Sequence, residues 1–511
     1  MDARHGLLSL NDDVLLYAFS FLYGTEACGI VLTSKRLHAL ANRRLAASAE
    51  CSHPFAFLPL CKHLLQGPQP RARYLEILDL RIDGIDTVYD AEEVPYGRLL
   101  TDLLAAAQNI RELILSCRPE SLDPCSRIGR TLVTMRHLVD LRIRNVDDDA
   151  LALLPMLSGS LRRLALWYSS TAPQSTSSQN ALLGALTKHP RLESLELRYF
   201  SPQRPFVGVS SADHPQFTSL RCLSIKEGSV AATSLIDLFP HLALIAVHVS
   251  HHPNAPLPMG MVAAWRWPPL KVLYMDESFA LLAQHRVSQV EKIVIMNEMR
   301  PSDVLLLRDP LDAMLRAASP VQVSRFVSVE PGAMHALARN LAALPRLHTL
   351  ELCLQRKDWE QRYIPDPEEQ WLIDSVASLG HLKLKSLRLI VYVDLALFDS
   401  PIPIELSGRE QPIAAAAAVP LHVKLTRAIP TLHLFGVVSE YWTTNTKPLG
   451  KCDSADRTEA ANPWYVAPWL RPMTRCGYYR RWWCRSAGDG ADLAELSEDE
   501  AKKMHVERAF A

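Results

Sequence analysis

The sequence predicts an α/β architecture: an irregular solenoid of helix-strand repeats forming a parallel sheet arc, preceded by a small all-α domain. Three observations carry this. Aliphatic residues recur at i, i+3 and i+5 from Leu75 to about Leu434, apolar stretches at helical spacing precede many of these triplets, and the first fifty residues share neither feature. One helix-strand unit cannot bury its own apolar face, so stacked neighbours must close the core.

The strand runs are YLEILDL (Leu75, Leu78, Leu80), IRELIL from Ile110, LVDLRI from Leu138, LRRLAL from Leu161, LESLEL from Leu192 and LRCLSI from Leu220. LALIAV from Leu242, LKVLYM from Leu270, VEKIVI from Val290, LHTLEL from Leu347, LKSLRL from Leu384 and IPTLHL from Ile429 follow. Most begin 20 to 37 residues apart, and the longer gap after Val290 holds one degenerate unit near Val321 to Val329. Helical stretches come before them: Leu99, Leu100, Leu103 and Leu104 before Ile110; Leu182, Leu183 and Leu186 before Leu192; Leu337, Leu341 and Leu344 before Leu347. In each strand the triplet faces inward, and residues between, such as Glu196 and Arg388, face the other way.

These L-x-x-L-x-L runs resemble the leucine-rich-repeat family. Regular members place an asparagine or cysteine three residues after the last leucine, where it ladders between turns. Here those positions hold Asp83, Arg118, Val146 and Phe200, so the expected spine is uneven and loosely wound.

Lys plus Arg and Asp plus Glu are equal at 55 each, so no global field recruits nucleic acid or an anionic membrane. Apolar residues make up 48% of the 511, enough for a folded protein with a sizeable core. The N-terminus, with Asp2 and no uninterrupted apolar run, does not read as a secretory signal, and no run of about 18 apolar residues occurs. Ten cysteines without a C-x-x-C pair, and no Asn-x-Ser/Thr sequon, fit reduced thiols in cytoplasm or nucleus.

Residues 1–50 read as helices. Asn11 or Asp12 can cap a helix whose stripe is Val14, Leu15, Ala18, Phe19 and Leu22; Gly24 ends it, and Thr33 or Ser34 can cap a later helix with Leu37, Leu40 and Leu45. Leu16, Tyr17, Phe21 and Tyr23 lie off that stripe, and so short a domain cannot enclose them all. Either the first repeat covers them or a partner does. LNDDVLLYAFSFL, through Leu10, Asp13, Val14, Leu15, Phe19, Phe21 and Leu22, and then IVLTSKRLHALA, resemble the F-box family, with Asn11 standing for its usual proline. The resemblance implies docking on the Skp-type adaptor of a cullin-RING ubiquitin ligase, with the repeats holding a protein substrate. Carried over residue by residue, the adaptor-facing set is Leu10, Asp13, Val14, Leu15, Phe19, Leu22, Ile30, Val31 and Leu37. The rival reading is a scaffold whose F-box-like segment only caps the solenoid. Residues 51–73, with Pro54, Pro59, Pro68 and Pro70, read as a stiff linker into a solenoid over 74–440.

Signatures of nucleotide-binding loops, hydrolase elbows and zinc-protease helices are absent, and no catalytic residue, metal site or cofactor is assigned; an enzyme with an unrecognised site is the remote alternative. His248, His251 and His252 lack a companion carboxylate or cysteine, and Cys476 and Cys484 are too far apart for a zinc pair. Binding is the better expectation. Arg142, Arg144, Trp167, Glu196, Arg198 and Lys226 alternate with aliphatics on neighbouring strands and make a basic and aromatic patch suited to an acidic or phosphorylated peptide, unless they are merely a solvated face. Insertions leaving the strands gather on one rim, where Trp359 and Tyr363 are candidate anchors. Residues 441–511, dense in Trp between Trp442 and Trp483, read as a cap on the open end or a docking tail, with a short amphipathic helix from Leu493.

Overall fold

The computed structural model describes residues 10–19, 33–38, 40, 46–67, 70–82, 96–168, 175–203, 217–249, 267–276, 279–280, 283–284, 286–295, 301–328, 333–355, 377–394, 427–443, 474–485, 493–497 and 500. It divides into two compact units, one built on Met1–Leu242 and one on Pro253–Ala511 with Ala243–His248.

In the first unit, α1 (Asp12–Phe19) is followed by β1 (Ser48–Cys51), α2 (Pro54–Leu65), β2 (Ile77–Leu80), α3 (Tyr96–Ala106) and β3 (Glu112–Ser116). Then come α4 (Arg127–Thr134), β4 (Asp140–Val146), α5 (Asp148–Leu153), β5 (Arg163–Tyr168), α6 (Thr176–Thr187), β6 (Ser194–Arg198) and β7 (Cys222–Gly228). Each strand pairs in parallel with the next in sequence. The aliphatic triplets set the register. Leu78, Leu113, Leu141, Leu164, Leu195 and Leu223 form one buried row, and Ile143, Leu166, Leu197 and Ile225 a second. The helices seal these rows: Leu100, Leu103 and Leu104 of α3 and Leu182 and Leu186 of α6 are buried, as their spacing requires.

Residues 51–73, expected as a linker, hold β1's last residue, α2 and a 3-10 turn, Arg71–Tyr74. Pro54 sits in the first turn of α2, where its missing N–H costs nothing, and Phe57, Cys61 and Leu64 are buried at i, i+4 and i+7. The strand-helix pattern therefore starts at Ser48. Where regular repeats carry an asparagine, Val146 and Phe200 are buried instead, and the Phe200 ring packs 5.0 Å from that of Tyr168.

The second unit runs β8 (Leu244–Val249), β9 (Leu270–Met275), β10 (Val290–Ile295), α7 (Pro301–Ala318), β11 (Gln322–Ser328), α8 (Ala333–Ala342), β12 (Thr349–Gln355), β13 (Ser386–Asp394) and β14 (Leu434–Thr443). These strands are parallel and paired in sequence order. The degenerate run becomes β11: Val323 aligns with Ile293 and Leu350, and Arg325 takes the place that Ile295 and Leu352 hold beside it. A guanidinium in an aliphatic row is why the triplet is broken there. β15 (Thr474–Arg485) then pairs antiparallel with β14, and β16 (Leu493–Leu496) antiparallel with β15. Leu493–Leu496, expected as helical, is a strand because its backbone pairs antiparallel with Trp482–Arg485 of β15. Trp483 is buried and stacks at 5.2 Å on Phe435 of β14.

Candidate functional site

On the face of the first unit's sheet opposite the aliphatic rows, the strand register builds three levels. The lowest holds Glu112, Asp140 and Arg163, the middle Asp79, Arg142 and Glu196, and the uppermost Arg144, Trp167, Arg198 and Lys226. The sequence-predicted patch residues Arg142, Arg144, Trp167, Arg198 and Lys226 are thus brought together on four adjacent strands.

Ions are paired along the two lower levels. Asp140, almost fully buried, accepts from Arg142 (3.2 Å) and Arg163 (2.9 Å), and Arg163 also reaches Glu112 at 3.0 Å. The uppermost level adds an aromatic ring to its ion pairs. The Arg144 and Arg198 guanidiniums lie over the Trp167 ring, 4.2 and 4.1 Å from its centroid. Arg198 and Lys226 both contact the same Oε1 of Glu196, at 2.9 and 3.0 Å. Burial works to raise the Glu196 carboxyl, but the charges of Lys226 and Arg198 outweigh it and hold the group below the ordinary carboxylate range. Burial pushes the Lys226 ammonium down, with Glu196 opposing and Arg198 reinforcing the shift.

Just beyond this level the chain turns sharply. Asn145, Tyr199 and Glu227, each following a cation of the upper level, have φ of 60°, 55° and 53°. Left-handed backbone at non-glycine positions is uncommon and costs about 1–3 kcal/mol where it persists.

The second unit carries a related arrangement on the same side of its strands. Ser324, Glu351 and Arg388 share one level. Glu351 accepts from Arg388 at 3.1 Å and from the Ser324 hydroxyl at 2.7 Å. Arg388, expected to face out, does point away from the aliphatic rows but is only 1% exposed. Lys292 is buried on this face as well, and burial lowers its pKa against the pull of Glu351. Sequence reasoning missed this buried cluster; the signal was the charge inside LHTLEL and LKSLRL, which reads equally well as solvated.

The N-terminal segment has a sorted surface. Asn11 accepts from the Val14 N–H at 2.8 Å and so caps α1, and Ser34 likewise accepts from the Leu37 N–H at 3.1 Å. Leu15, Phe19 and Leu37 form a small core with Leu40 packed against it. Arg36 ties the two helical pieces together through Asp12 (2.7 Å) and the Leu10 carbonyl. Of the residues expected to face an adaptor, Leu15, Phe19 and Leu37 are therefore inside this core. Leu10 (39% exposed) and Val14 (45%) remain on the surface beside Asp13, joined by Tyr17 at 68%.

Leu22, Ile30 and Val31 lie outside the described residues, as do Trp359 and Tyr363, His251 and His252. Among the described residues no group of His, Cys, Asp and Glu could hold a metal ion, and no helix is long and apolar enough to cross a membrane.

What these units define is a repeat protein of mixed α/β class, its parallel strands stacked in sequence order. No family model matches the chain, and no curated protein does. Among solved structures it is similar to the leucine-rich repeat-containing protein LegL7 from Legionella pneumophila, at 10% identity over 64% of this chain and 89% of that one, with a TM-score of 0.32.

Proposed function

We propose that the chain is a non-catalytic receptor of an SCF-type cullin-RING ubiquitin ligase: its N-terminal segment docks on a Skp-type adaptor and its repeats hold a protein substrate. The observation that carries this reading is the exposed pair Val14 and Tyr17, at i and i+3 on the side of α1 away from Leu15 and Phe19, with Leu10 exposed just before the helix. That spacing is how an amphipathic helix presents anchors to a partner's groove. Burying each such side chain is worth roughly 1.5–3 kcal/mol, a strong incentive to find a cover. The F-box resemblance supplies the identity of the cover, and the ion-rich sheet faces supply a surface of the kind that binds protein. The same reading places the protein in cytoplasm or nucleus, without cofactor, membrane or nucleic acid.

Coexpression with the adaptor tests it. The wild-type chain copurifies with the adaptor, and Val14→Asp with Tyr17→Asp abolishes copurification while leaving the melting temperature unchanged, because both side chains are exposed. Substituting Leu15 or Phe19 is uninformative, since either change opens the segment's own core. A wild-type chain that folds and leaves the adaptor behind points to the rival scaffold, in which this segment serves the repeats alone.

A further inference from the structure

We propose that the entry side of the first unit's sheet, where β3 to β7 begin, docks an extended segment of a partner protein rich in aspartate and glutamate, lying across the strands. The cations that receive it are Arg111, Arg136, Arg162, Lys188, Arg191 and Arg221. This surface lies below the three levels of the sheet face and does not depend on the N-terminal segment docking an adaptor.

The backbone sets the row. The residue before each strand donates its N–H to the carbonyl oxygen of its counterpart one strand earlier: Arg111 to Glu76, Val139 to Arg111, Arg162 to Val139, Glu193 to Arg162 and Arg221 to Glu193. Three of these five donors are arginines. The two strands that lack one carry exposed cations in the turn just ahead, Arg136 before β4 and Lys188 with Arg191 before β6. Every strand from β3 to β7 therefore opens on a cation, and most of these cations are unengaged. Arg111, Arg136, Lys188 and Arg191 are exposed and hold no ion pair among the described residues. Arg162 meets Glu193 at 3.3 Å with both side chains more than half exposed, a contact that water screens, and Arg221 donates to the His241 carbonyl oxygen. The turns themselves are anchored. Ser158 and Ser160 both donate to the Arg136 carbonyl oxygen, at 3.2 and 3.1 Å, and His189, between Lys188 and Arg191, is buried and bonded to the Leu154 carbonyl oxygen at 2.8 Å. The distribution of charge selects the ligand. Neighbouring strands stand about 4.8 Å apart, so β3 to β7 span about 19 Å, the length of about six extended residues. One cation per strand matches single-charged carboxylates strung along a chain, whereas a phosphate dianion needs several donors converging on one point. A nucleic acid strand calls for aromatic platforms between the charges, and this row interposes Val139 and Glu193. With no net charge on the chain as a whole, the attraction is local to this row.

The test uses the immobilised full-length protein and two degenerate peptide pools, with alternate positions fixed as aspartate or glutamate in one and as asparagine or glutamine in the other. A single-stranded RNA oligonucleotide of matched charge is the third ligand. At low salt the acidic pool is retained about tenfold or more above the amide pool, and the difference fades as added salt shortens the screening length. Arg111→Glu with Arg191→Glu abolishes the difference and leaves the melting temperature unchanged, both side chains being exposed. Arg127→Glu with Arg130→Glu, at exposed positions of α4 rather than at the strand starts, changes the net charge equally and leaves the acidic preference in place. Glu193→Gln removes an acid from the row and raises retention, a gain that misfolding does not imitate. Equal retention of the acidic and amide pools overturns the proposal, as do an equal loss through Arg127→Glu with Arg130→Glu, and RNA held as strongly as the acidic pool. The Val14→Asp, Tyr17→Asp variant keeps the acidic preference, so failure at the adaptor and failure at this row are scored apart.

Discussion

Trp167 shows how one side chain can be held on both flanks and still be chemically unfulfilled. Both flanks of its ring carry guanidiniums, yet its Nε1 is buried with no hydrogen-bond partner. A buried donor without an acceptor carries a desolvation penalty that a hydrocarbon edge avoids. Trp167→Phe is therefore expected to change stability by less than about 0.5 kcal/mol, whereas Trp167→Ala removes both cation-π contacts and costs about 1–2 kcal/mol; urea denaturation of the two variants checks the contrast. His189 gives a pH prediction. It follows α6, is buried, and bonds through Nε2 to the Leu154 carbonyl oxygen at 2.8 Å. Burial pushes its pKa below the ordinary 6.5, and the carbonyl only partly opposes this. The unfolded chain then binds the proton more readily, so the contribution is complete above about 6.5 and is lost as pH falls through that value toward the lower folded pKa. Urea midpoints at pH 7.5 and 5.5 should differ in that sense, and His189→Gln should flatten the difference. In the second unit, Glu351→Leu removes the carboxylate contacting buried Arg388 and is expected to cost about 3–5 kcal/mol, as one-sided cuts of buried ion pairs do. Adding Arg388→Met recovers much of that loss if the pair is the cause.

Elements here obey local chemistry that can be cut at single atoms. Ser126 caps α4 by accepting from the Gly129 N–H at 2.8 Å, and Ser126→Ala is expected to cost about 1 kcal/mol. Gly129→Ala, normally favourable inside a helix, should instead destabilise, because a Cβ there would stand 2.1 Å from the Asp123 carbonyl oxygen; thermal melts of both variants decide it. The strands were legible because the triplet is a three-point constraint that only a parallel row satisfies, and even the broken one at Val323 declared itself by its flanks. β1 was not legible: SAEC offers two small residues where the other strands offer aliphatics. α2 was hidden behind Pro54 and Pro59, although Phe57, Cys61 and Leu64 kept helical spacing. At the sheet face, sequence alternation identified which residues meet, but not which ones pair. The sharing of Glu196 between Arg198 and Lys226 depends on side-chain reach across strands, and the pattern of letters does not encode that. Asn11 was more legible: it was one of the two residues the sequence offered as the helix cap, and its side-chain oxygen accepts from the Val14 N–H.

At the scale of the molecule, each unit is a stack in which every strand leans on its immediate predecessor and successor. The last parallel strand, β14, is ten residues long, and its far side is covered by β15 with Trp483 on Phe435. Truncation after Thr443 should uncover that edge and produce association at micromolar concentration, visible by light scattering, because long bare edges template further pairing. The first strand, β1, is only four residues long and carries Glu50, a length and charge that discourage such pairing. Sequential stacking has a consequence for how the chain is made. As it leaves the ribosome, each new turn finds its mate already in place within its unit. Each strand's forward edge stays bare until its successor is made, and that wait is long at β13, whose mate β14 begins at Leu434, and at β14, whose mate β15 begins at Thr474, so these are intervals when the growing polypeptide has need of a chaperone.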